Sequence, residues 1–586
     1  MPYIGNTSQK FVTADDVTVT DDLTVTDKVT VGGDYVSSTL GTSNLRLGVN
    51  AGNSIASGGN YNVVLGDEAG TALTTGDDNV AVGFEALSTE DTGTRSVAVG
   101  YRALKVQNND STNYNVAIGY DAGLSITTGT QNVLIGGKTG DALTTGTDNV
   151  AIGRASLTSD DVGNKTVAVG MNTLASQNYA TATDSYNTAV GYSAGTAVTT
   201  GIQNTLIGSE CGDALTDADF NVAVGRNTLS TDTLGSKTTA IGFQALANQN
   251  FTTATDSNNT AVGYNAGVTL TVGGGNTLIG SLAGDAITDG GRNVAVGYLS
   301  LSTEDANGQN VAVGYRALTA QDAGAEGFNV AVGSDAGLSV TTGINNTLIG
   351  GLAGDALTDA DNNVAMGYSA LGSATTARYN TAIGTEALYS ATLLAAEGNV
   401  AVGFRSAYTL TTGNNNTMVG NHAGYWNGSA TNGLTTGVNN TFLGSKSYPS
   451  SQTVSNEFVL GNSAVDALRC ADQSIAALSD GRDKTDVVDL PYGLDFINKT
   501  RPVQFKWDKR TATKDDPKQG RTHNGFIAQE LLALGNNEQH RLVLDENPEV
   551  LEARYSNLLP MMVKAIQELT ALNTALTARI KTLEDA

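Results

Sequence analysis

The stretch NVAVG at Asn79–Gly83 returns along the chain with small changes, as SVAVG at Ser96–Gly100, NVAIG at Asn115–Gly119 and NVLIG at Asn132–Gly136. Most copies follow one another at a spacing of about 17 residues, and the last one closes at Gly461. A fixed period sustained over so long a chain is typical of stacked coils and not of a globular domain. We therefore predict a mainly β fold, with a repetitive β-solenoid or β-roll shaft of rungs about 17 residues long.

The copies also follow a second, longer period. Steps of about 19 or 21 residues recur at every fourth copy, and one register usually has Leu at its third position, as in TLIG at Thr205–Gly208. The glycines of that register are spaced by about 70–72 residues, at Gly66, Gly136, Gly208, Gly280, Gly350 and Gly420. Four rungs therefore form one super-repeat.

Within each copy the residues alternate as they do in a β-strand. Val80 and Val82 share one face, and Ala81 lies on the other. Both faces are apolar, so we predict that one fills the coil interior and that the other, which is mostly alanine, packs closely against a partner. The glycine that follows permits a sharp corner. Such thin coils are expected to depend on stacking and association, because their cores are small.

Charge and composition exclude several classes of protein. The 586 residues include 32 Lys and Arg against 58 Asp and Glu, a net charge of −26. An acidic surface repels nucleic acid and anionic lipid, so we predict neither as a partner. No long apolar run exists, and MPYIGNTSQK at the start has no apolar core, so we predict no membrane insertion and no signal peptide. Cys211 and Cys470 are expected to be reduced thiols.

Proline marks a change of architecture near the end of the chain, since six of the seven prolines lie at Pro449 or later. The alternation VTVTDDLTVTDKVTV at Val17–Val31 predicts short strands in a separate attachment segment. The predicted domains are the attachment segment 1–45, the shaft 46–461 with an insertion at 421–433, a neck 462–478, and a small α+β domain 479–586.

Three blocks of the C-terminal domain carry a resemblance to a known family. They are SDGRDK at Ser479–Lys484, HNGFIAQEL at His523–Leu531 and YSNLLPMMVKAIQEL at Tyr555–Leu569. In this order they resemble the intramolecular chaperone at the ends of endosialidases and of many phage tail fibres and spikes. The resemblance covers 479–586. It implies a domain that trimerises the fibre, aids its folding and then cuts itself off.

The resemblance also assigns residues to the cut. It implies Ser479 as the nucleophile, Lys484 as the base and Leu478–Ser479 as the bond that breaks. A serine hydroxyl needs a base, and a lysine serves as one only where burial or a neighbouring cation releases its proton. Arg482 is the candidate cation, and Asp480 supports the same turn. The alternative is that SDGRDK is only a solvated turn. The predicted activity is one intramolecular cut, with no external substrate.

The last block continues into a heptad pattern. Its seam positions are Leu559, Ile566, Asn573 and Ile580 in one row and Met562, Leu569, Leu576 and Leu583 in the other. Apolar residues at both seam positions predict a coiled coil, and a buried Asn is known to fix register. We therefore predict a homotrimer. The alternative is an amphipathic helix packed on its own domain.

The shaft phrases loosely resemble the head repeats of trimeric autotransporter adhesins, which are β-rolls with three chains side by side. The likeness covers roughly Asn62–Gly461, although those heads have a shorter period. It implies an adhesin. Many rungs place an aromatic ring after the glycine, and these rings could stack on sugars or pack between rungs.

One irregular rung predicts a contact site. The step from Gly420 to Gly444 is the longest between any two successive phrase glycines, and the extra segment includes His422, Tyr425 and Trp426. We predict these three as receptor contacts, with a loop that only caps or widens the stack as the alternative. The three histidines lack ligand spacing, so no metal site and no cofactor are predicted. The Asp-rich turns, such as DALTDADFN, could hold Ca²⁺ or be plain solvated turns.

Together these features predict a trimeric phage tail fibre, a virion protein assembled in the host cytoplasm. Its N-terminus would bind a tail or adaptor protein, and its shaft would meet a host-surface receptor, most simply a glycan. The alternative is a polysaccharide-degrading tailspike with the same chaperone, although no acid pair stands out as a glycosidase site.

Overall fold

A computed structural model describes residues 40–391, 397–425, 433–462, 464–465, 480–506, 520, 522–545 and 551–586. The predicted strands at Val17–Val31 lie outside these residues, as do Trp426, Leu478 and Ser479. The chain separates into two compact units. One is Met1–Ala155 with Asp161–Gly163, and the other is Ser156–Asp160 with Asn164–Ala586.

Both units contain a parallel β-solenoid in which every rung contributes one three-residue strand. The first unit has the strands Leu45–Leu47, Val63–Leu65, Val80–Val82, Val97–Val99, Val116–Ile118, Val133–Ile135 and Val150–Ile152. The second has Val167–Val169, Thr188–Val190, Thr205–Ile207, Val222–Val224, Thr239–Ile241, Thr260–Val262, Thr277–Ile279, Val294–Val296, Val311–Val313, Val330–Val332, Thr347–Ile349, Val364–Met366, Thr381–Ile383, Val400–Val402, Thr417–Val419, Thr441–Leu443 and Phe458–Leu460. The predicted solenoid is confirmed, with 24 rungs in the described residues.

Neighbouring strands within a unit pair in register, so that each residue of a phrase lies beside its equivalent in the next rung. Thr205 pairs with Val222, for example, and Leu206 with Ala223. The glycine that closes the phrase is required by this close stacking. At Gly208, φ is +143°, and a Cβ would lie 2.2 Å from the carbonyl oxygen of Gly225. Two-residue strands also occur outside the phrases, at Gly163–Asn164, Thr183–Asp184, Gly235–Ser236 and Thr255–Asp256.

The prediction that the alanine face packs against a partner is wrong. Ala81 and Ala98 are fully buried within the coil, whereas the second and fourth residues of their phrases point outward and are partly exposed. The physical reason is the narrow interior. The opposite wall already supplies large side chains such as Leu87 and Leu104, both fully buried, so only a small residue fits between them on most rungs. The outward face is therefore the branched one.

An asparagine ladder runs through the interior, at the residue that begins each phrase. The Oδ1 of Asn187 accepts a hydrogen bond from the backbone N–H of Asn204 at 2.9 Å. Asn204 in turn donates its Nδ2 to the carbonyl of Ala218 at 2.8 Å. Both asparagines are at most 1% exposed. Each side chain thus satisfies backbone groups of its own rung and the next, which explains why the phrase begins with Asn.

Three rungs, each one super-repeat from the next, replace the asparagine with Ser or Thr and add a buried acid. In one of them Asp232 accepts from the Nε2 of Gln249 at 2.6 Å, and the same nitrogen lies 3.0 Å from the Oγ1 of Thr238. The Oε1 of Gln249 accepts from Asn259 at 2.9 Å. The other two rungs repeat the arrangement with the pairs Glu90–Gln107 and Asp160–Gln177. These three rungs, spaced by the super-repeat, therefore have buried polar groups that can form their hydrogen bonds only with the rungs that lie beside them.

We expect the Gln249→Leu variant to lose about 1–3 kcal/mol of local stability, because Asp232 would keep its burial and lose a donor. Amide hydrogen exchange should be faster in Thr239–Ile241 and Thr260–Val262. Gln244→Leu is the matched control, since that side chain is only half-buried and Leu299 occupies the equivalent position of another rung. Equal exchange in both variants would contradict the role of the buried network.

The C-terminal domain is a small α+β unit. Its helices are α1 (Leu494–Ile497), α2 (Ala528–Leu532), α3 (Asn537–His540) and α4 (Leu558–Glu584), with 3₁₀ turns at Gly481–Asp483 and Tyr555–Asn557. Antiparallel pairs join Val503–Lys506 to Thr522–Gly525 and Val543–Leu544 to Glu552–Ala553. Leu531, Leu542, Val543, Leu558 and Met561 form its core.

Two further sequence predictions concern cysteines and membranes. Cys211 is a buried free thiol whose pKa is raised to about 12 by burial, and Cys470 lies outside the described residues. Among the described helices, none combines the length and the hydropathy that crossing a bilayer requires.

Candidate functional site

The turn that follows the predicted cleavage bond is capped by its own side chains. Asp480 lies at the N-cap of the 3₁₀ turn Gly481–Asp483, and its Oδ1 accepts from the backbone N–H of Arg482 at 2.9 Å. The guanidinium of Arg482 also contacts Asp480, with Nη2 2.5 Å from Oδ2. The hydrogen bonds from Arg482 lower the pKa of the Asp480 carboxyl. This pair orders the turn predicted between Ser479 and Lys484.

The predicted base lies directly after this turn. Lys484 is exposed, and its backbone N–H donates to the carbonyl of Gly481 at 3.4 Å. Leu478 and Ser479 lie outside the described residues, so the dyad and its bond stay predictions. Arg482 is paired with Asp480, so its positive charge is partly offset. It would therefore lower the pKa of a neighbouring lysine less than an unpaired arginine would.

Helix α4 divides into a buried base and an exposed stem. Leu558, Met561 and Ala565 are buried on the C-terminal domain. The carboxylate of Glu568 accepts from the backbone N–H of Leu494, the first residue of α1, at 2.7 Å. After Glu568 every residue of the helix is exposed. Packing on the domain therefore accounts for the first turns of the helix only.

The predicted seam faces away from the domain core. Its apolar members are between 46% and 71% exposed, and Asn573 is exposed with them. A helix stem of this length that no other described residue covers has marginal stability in water. An apolar stripe with heptad spacing on such a stem is typical of a helix that forms a coiled coil with other helices. The homotrimer stays a proposal.

The C-terminal segment has an identifiable family. Residues 479–539 match the family model for the chaperone of endosialidase. The match begins at Ser479, the residue predicted to follow the cut, and spans the capped turn, α1 and α2. With the solenoid before it, this chaperone domain indicates a protein of the tail-fibre or tailspike type. A comparison with curated proteins gave no match.

The irregular rung upstream of the chaperone domain holds two of the three predicted receptor contacts. His422 is 8% exposed, and its ring lies edge-on to Phe404 with centroids 5.1 Å apart. It stacks on Tyr425 at 5.5 Å, and Tyr425 also contacts Tyr408 at 4.9 Å. Burial, followed by the charges of Arg405 and Lys446, lowers the pKa of His422. His422 thus packs among the rings of neighbouring rungs.

The rings that follow the phrase glycines form stacks along the shaft. Phe84 stacks on Tyr101 at 5.4 Å, and Tyr101 on Tyr120 at 5.1 Å, with nearly parallel planes. The guanidinium of Arg102 lies 5.0 Å from the centroid of Tyr101. Rings inside a stack have both faces covered by neighbouring rings. Of the two alternatives predicted for these rings, the geometry there favours packing between rungs over stacking on sugars.

The Asp-rich turns link neighbouring rungs. The Oδ1 of Asp217 accepts from the Oγ1 of Thr200 at 2.5 Å, and the Oδ1 of Asp219 accepts from the N–H of Ile202 at 2.8 Å. These carboxylates therefore serve as acceptors for the preceding rung, a role that the turn composition alone did not reveal.

One acid cluster continues the series of buried acids, since Glu304 occupies the super-repeat position of Asp232, but its rung keeps an asparagine, Asn310. The carboxylates of Glu304, Asp305 and Asp322 lie within 4.8 Å of one another. Glu304 is fully buried, and its carboxylate accepts hydrogen bonds from Asn307 and Asn310 at 3.1 and 3.3 Å. Burial, then the charges of Asp322 and Asp305, raise the pKa of Glu304 to about 7, against a lowering by the hydrogen bonds of Asn307.

This raised pKa predicts a local pH dependence. An acid whose pKa is higher in the folded state than in the unfolded state binds more protons when folded between the two values. Local stability around Glu304 should therefore fall as the pH rises from about 4.5 toward 7. Amide exchange of Val311–Val313, corrected for intrinsic rates, should show more opening at pH 8 than at pH 5. The Glu304→Gln variant should lose this difference, and its persistence would contradict the assignment.

Proposed function

We propose that this chain is a trimeric phage tail fibre that attaches the virion to the host surface. The observation that carries the proposal is the order of its parts, a 24-rung solenoid followed by a segment that matches the chaperone of endosialidase. Residues 1–45 would bind the phage tail or an adaptor, and the shaft would project toward a receptor. Assembly would take place in the host cytoplasm.

Two apolar surfaces support a homotrimer. The first is the exposed seam of α4. The second is the outward face of the rung strands, on which branched residues such as Ile118, Ile207 and Ile279 are 38–39% exposed. These rows repeat with the rung spacing along each unit, and a second copy of the chain offers a row of the same length and spacing. Three copies side by side would cover these rows.

The chaperone domain would set the register of the three chains. Because consecutive rungs are nearly identical, a slip by one rung would leave most strands paired. The buried acid–glutamine networks recur only every fourth rung, so they oppose such slips within a chain. Aligning three C-termini through α4 would oppose slips between chains.

The proposed cut follows from the assigned residues. Lys484 would accept the proton of the Ser479 hydroxyl, and the oxygen would attack the carbonyl carbon of Leu478. The peptide nitrogen of Ser479 would leave as its free amine, with a proton, and an ester would join Leu478 to the serine oxygen. Water would then hydrolyse the ester, giving a carboxylate at Leu478 and restoring the hydroxyl. The fibre would end at Leu478.

Tyr425 and Trp426 remain the proposed receptor contacts of the irregular rung, whereas the buried His422 would support them from within the coil. The packing of His422 against Phe404 and Tyr425 would fix the start of the inserted loop, so that its remaining residues are presented from a rigid base.

Analytical ultracentrifugation of the purified chain tests the assembly directly. The expected result is a single species with the mass of three chains, both before and after cleavage. A protein that sediments as one chain at micromolar concentration would contradict the tail-fibre proposal, since the seam and the outward rows would then need no partner.

A further inference from the structure

The ring stacks of the shaft are interrupted on several rungs. Phe243 stacks on Tyr264 at 5.5 Å, and Tyr298 stacks on Tyr315 at 5.7 Å. Between the two stacks the equivalent position is Ser281. One face of Tyr264 and one face of Tyr298 therefore have no ring of the neighbouring rung against them. These two residues are 53% and 45% exposed.

Backbone hydrogen bonds place the three residues on successive rungs. The N–H of Leu282 donates to the carbonyl of Tyr264 at 2.9 Å, and the N–H of Leu299 donates to that of Ser281 at 3.2 Å. Tyr264 and Tyr298 are thus two strand spacings apart, or about 9.6 Å. A flat ring between two others needs about 7 Å, at a contact distance near 3.5 Å on each side. The gap over Ser281, here called the ring slot, can hold one such ring.

The interruption recurs with the super-repeat. Gly137 follows Tyr120 by one rung, and Ser209 follows Tyr192 by one rung, so each of these tyrosines also ends without a ring on the next rung. Tyr120 is 52% exposed and Tyr192 is 48% exposed. Ser209 and Ser281 are four rungs apart, which is about 19 Å along the second unit. These three interruptions share one register of the super-repeat, and a second gap flanked by rings lies over Thr385, between Tyr368 and Phe404.

The surroundings of these positions favour a neutral, amphipathic ring. Two charged side chains beside the ring stacks are already paired, Arg102 with Asp121 at 2.7 Å and Arg316 with Asp335 at 2.8 Å. The chain carries a net charge of −26, which disfavours anionic polymers and nucleic acid. A pyranose has an apolar C–H face that packs on aromatic rings, and its rim of hydroxyls reaches water and the hydroxyl of Ser281.

We propose that the ring slot of Tyr264, Ser281 and Tyr298 binds one pyranose ring of a neutral glycan, and that the positions over Gly137 and Ser209 do the same on one tyrosine each. This inference rests on the proposed attachment function and names a class of receptor for it. The column differs from the outward strand rows, because its rings are more exposed and lie beside ion pairs.

A filled slot provides the test. The Gly137→Tyr, Ser209→Tyr, Ser281→Tyr, Thr385→Tyr quadruple variant, in which the gap between Tyr368 and Phe404 is also filled, continues each stack, as Tyr101 and Tyr120 already do on adjacent rungs. A Cβ at Gly137 would meet only the carbonyl oxygen of Tyr120, at 3.9 Å, so the added ring has space. Saturation-transfer difference NMR would be recorded on the full chain with methyl α-glucoside, methyl α-mannoside, methyl β-galactoside and N-acetylglucosamine.

At least one glycoside should give a saturable signal with the wild-type chain, and the quadruple variant should reduce it at least about fivefold while its circular dichroism is unchanged. Tyr101→Phe changes a residue inside a stack without opening a gap, and it should keep the signal. The inference is overturned if no glycoside binds the wild-type chain or if the quadruple variant binds as well. It is also overturned if the quadruple variant changes only the sedimentation, since a second copy would then occupy the slot. None of these outcomes bears on self-cleavage, so failure here leaves the chaperone proposal standing.

Discussion

The Ser479→Ala variant is expected to remain one uncut chain of 586 residues, whereas the wild-type chain should yield two fragments, 1–478 and 479–586. Without the hydroxyl no ester can form between Leu478 and Ser479. Removal of a serine nucleophile costs about 10⁶-fold in rate in a serine peptidase, so no fragment should appear over hours. Intact mass spectrometry after expression measures the outcome.

The Lys484→Ala variant should also remain uncut, because the serine would lose its base. Lys499→Ala and Ser556→Ala are matched controls, since both residues are exposed in the chaperone domain and neither takes part in the proposed reaction. Asp480→Ala should slow the cut without abolishing it, because the turn would lose its cap but keep the dyad. Cleavage at 478/479 in the Ser479→Ala variant would refute the assignment, as would a wild-type chain that stays whole.

The solenoid could be predicted because its physics is periodic. One phrase repeated at a fixed spacing sets the strand, the corner and the stacking distance of all rungs at once, and errors at single rungs average out. The inward direction of Ala81 could not be predicted in this way. Alternation shows that two faces exist, but which face closes inward depends on the width of the coil, and that width is set by the opposite wall, where Leu87 lies.

The buried polar network could not be predicted from the repeat pattern either. Asn204 was visible as the first residue of a phrase, yet its role depends on a backbone carbonyl in the next turn of the chain, at Ala218. Asp232 and Gln249 look like ordinary surface residues in the sequence. They become a buried network only because the coil places residues 17 positions apart side by side on neighbouring rungs.

The C-terminal site was predictable to a different degree. The resemblance of three motifs assigned Ser479 and Lys484, and residues 479–539 match the chaperone of endosialidase. Spacing alone could not reveal that Arg482 pairs with Asp480, because either an ion pair across the turn or a free cation fits the letters SDGRDK. The geometry favours a role for Arg482 in holding the turn.

The Leu569→Asp, Leu576→Asp double variant is expected to prevent trimer formation. Both residues lie in one seam row of α4, and they are 46% and 57% exposed in the single chain. Burial of a leucine contributes about 1.5–3 kcal/mol, so six leucines in three chains contribute on the order of 10 kcal/mol to association. Charges at these positions would also repel one another across the seam. Sedimentation should show single chains or aggregates, and the soluble yield of the shaft should fall.

The Ala571→Asp, Ala578→Asp variant separates this effect from a loss of helix propensity. It places the same two charges on the same exposed stem of α4, at positions that the heptad turns away from the seam. Each variant adds two aspartates to the helix interior, so the difference between them reports the seam. If both variants sediment as trimers, α4 does not hold the chains together. The outward rows of Ile118, Ile207 and Ile279 would then be the surface proposed to do so, and the chaperone domain would act on folding alone.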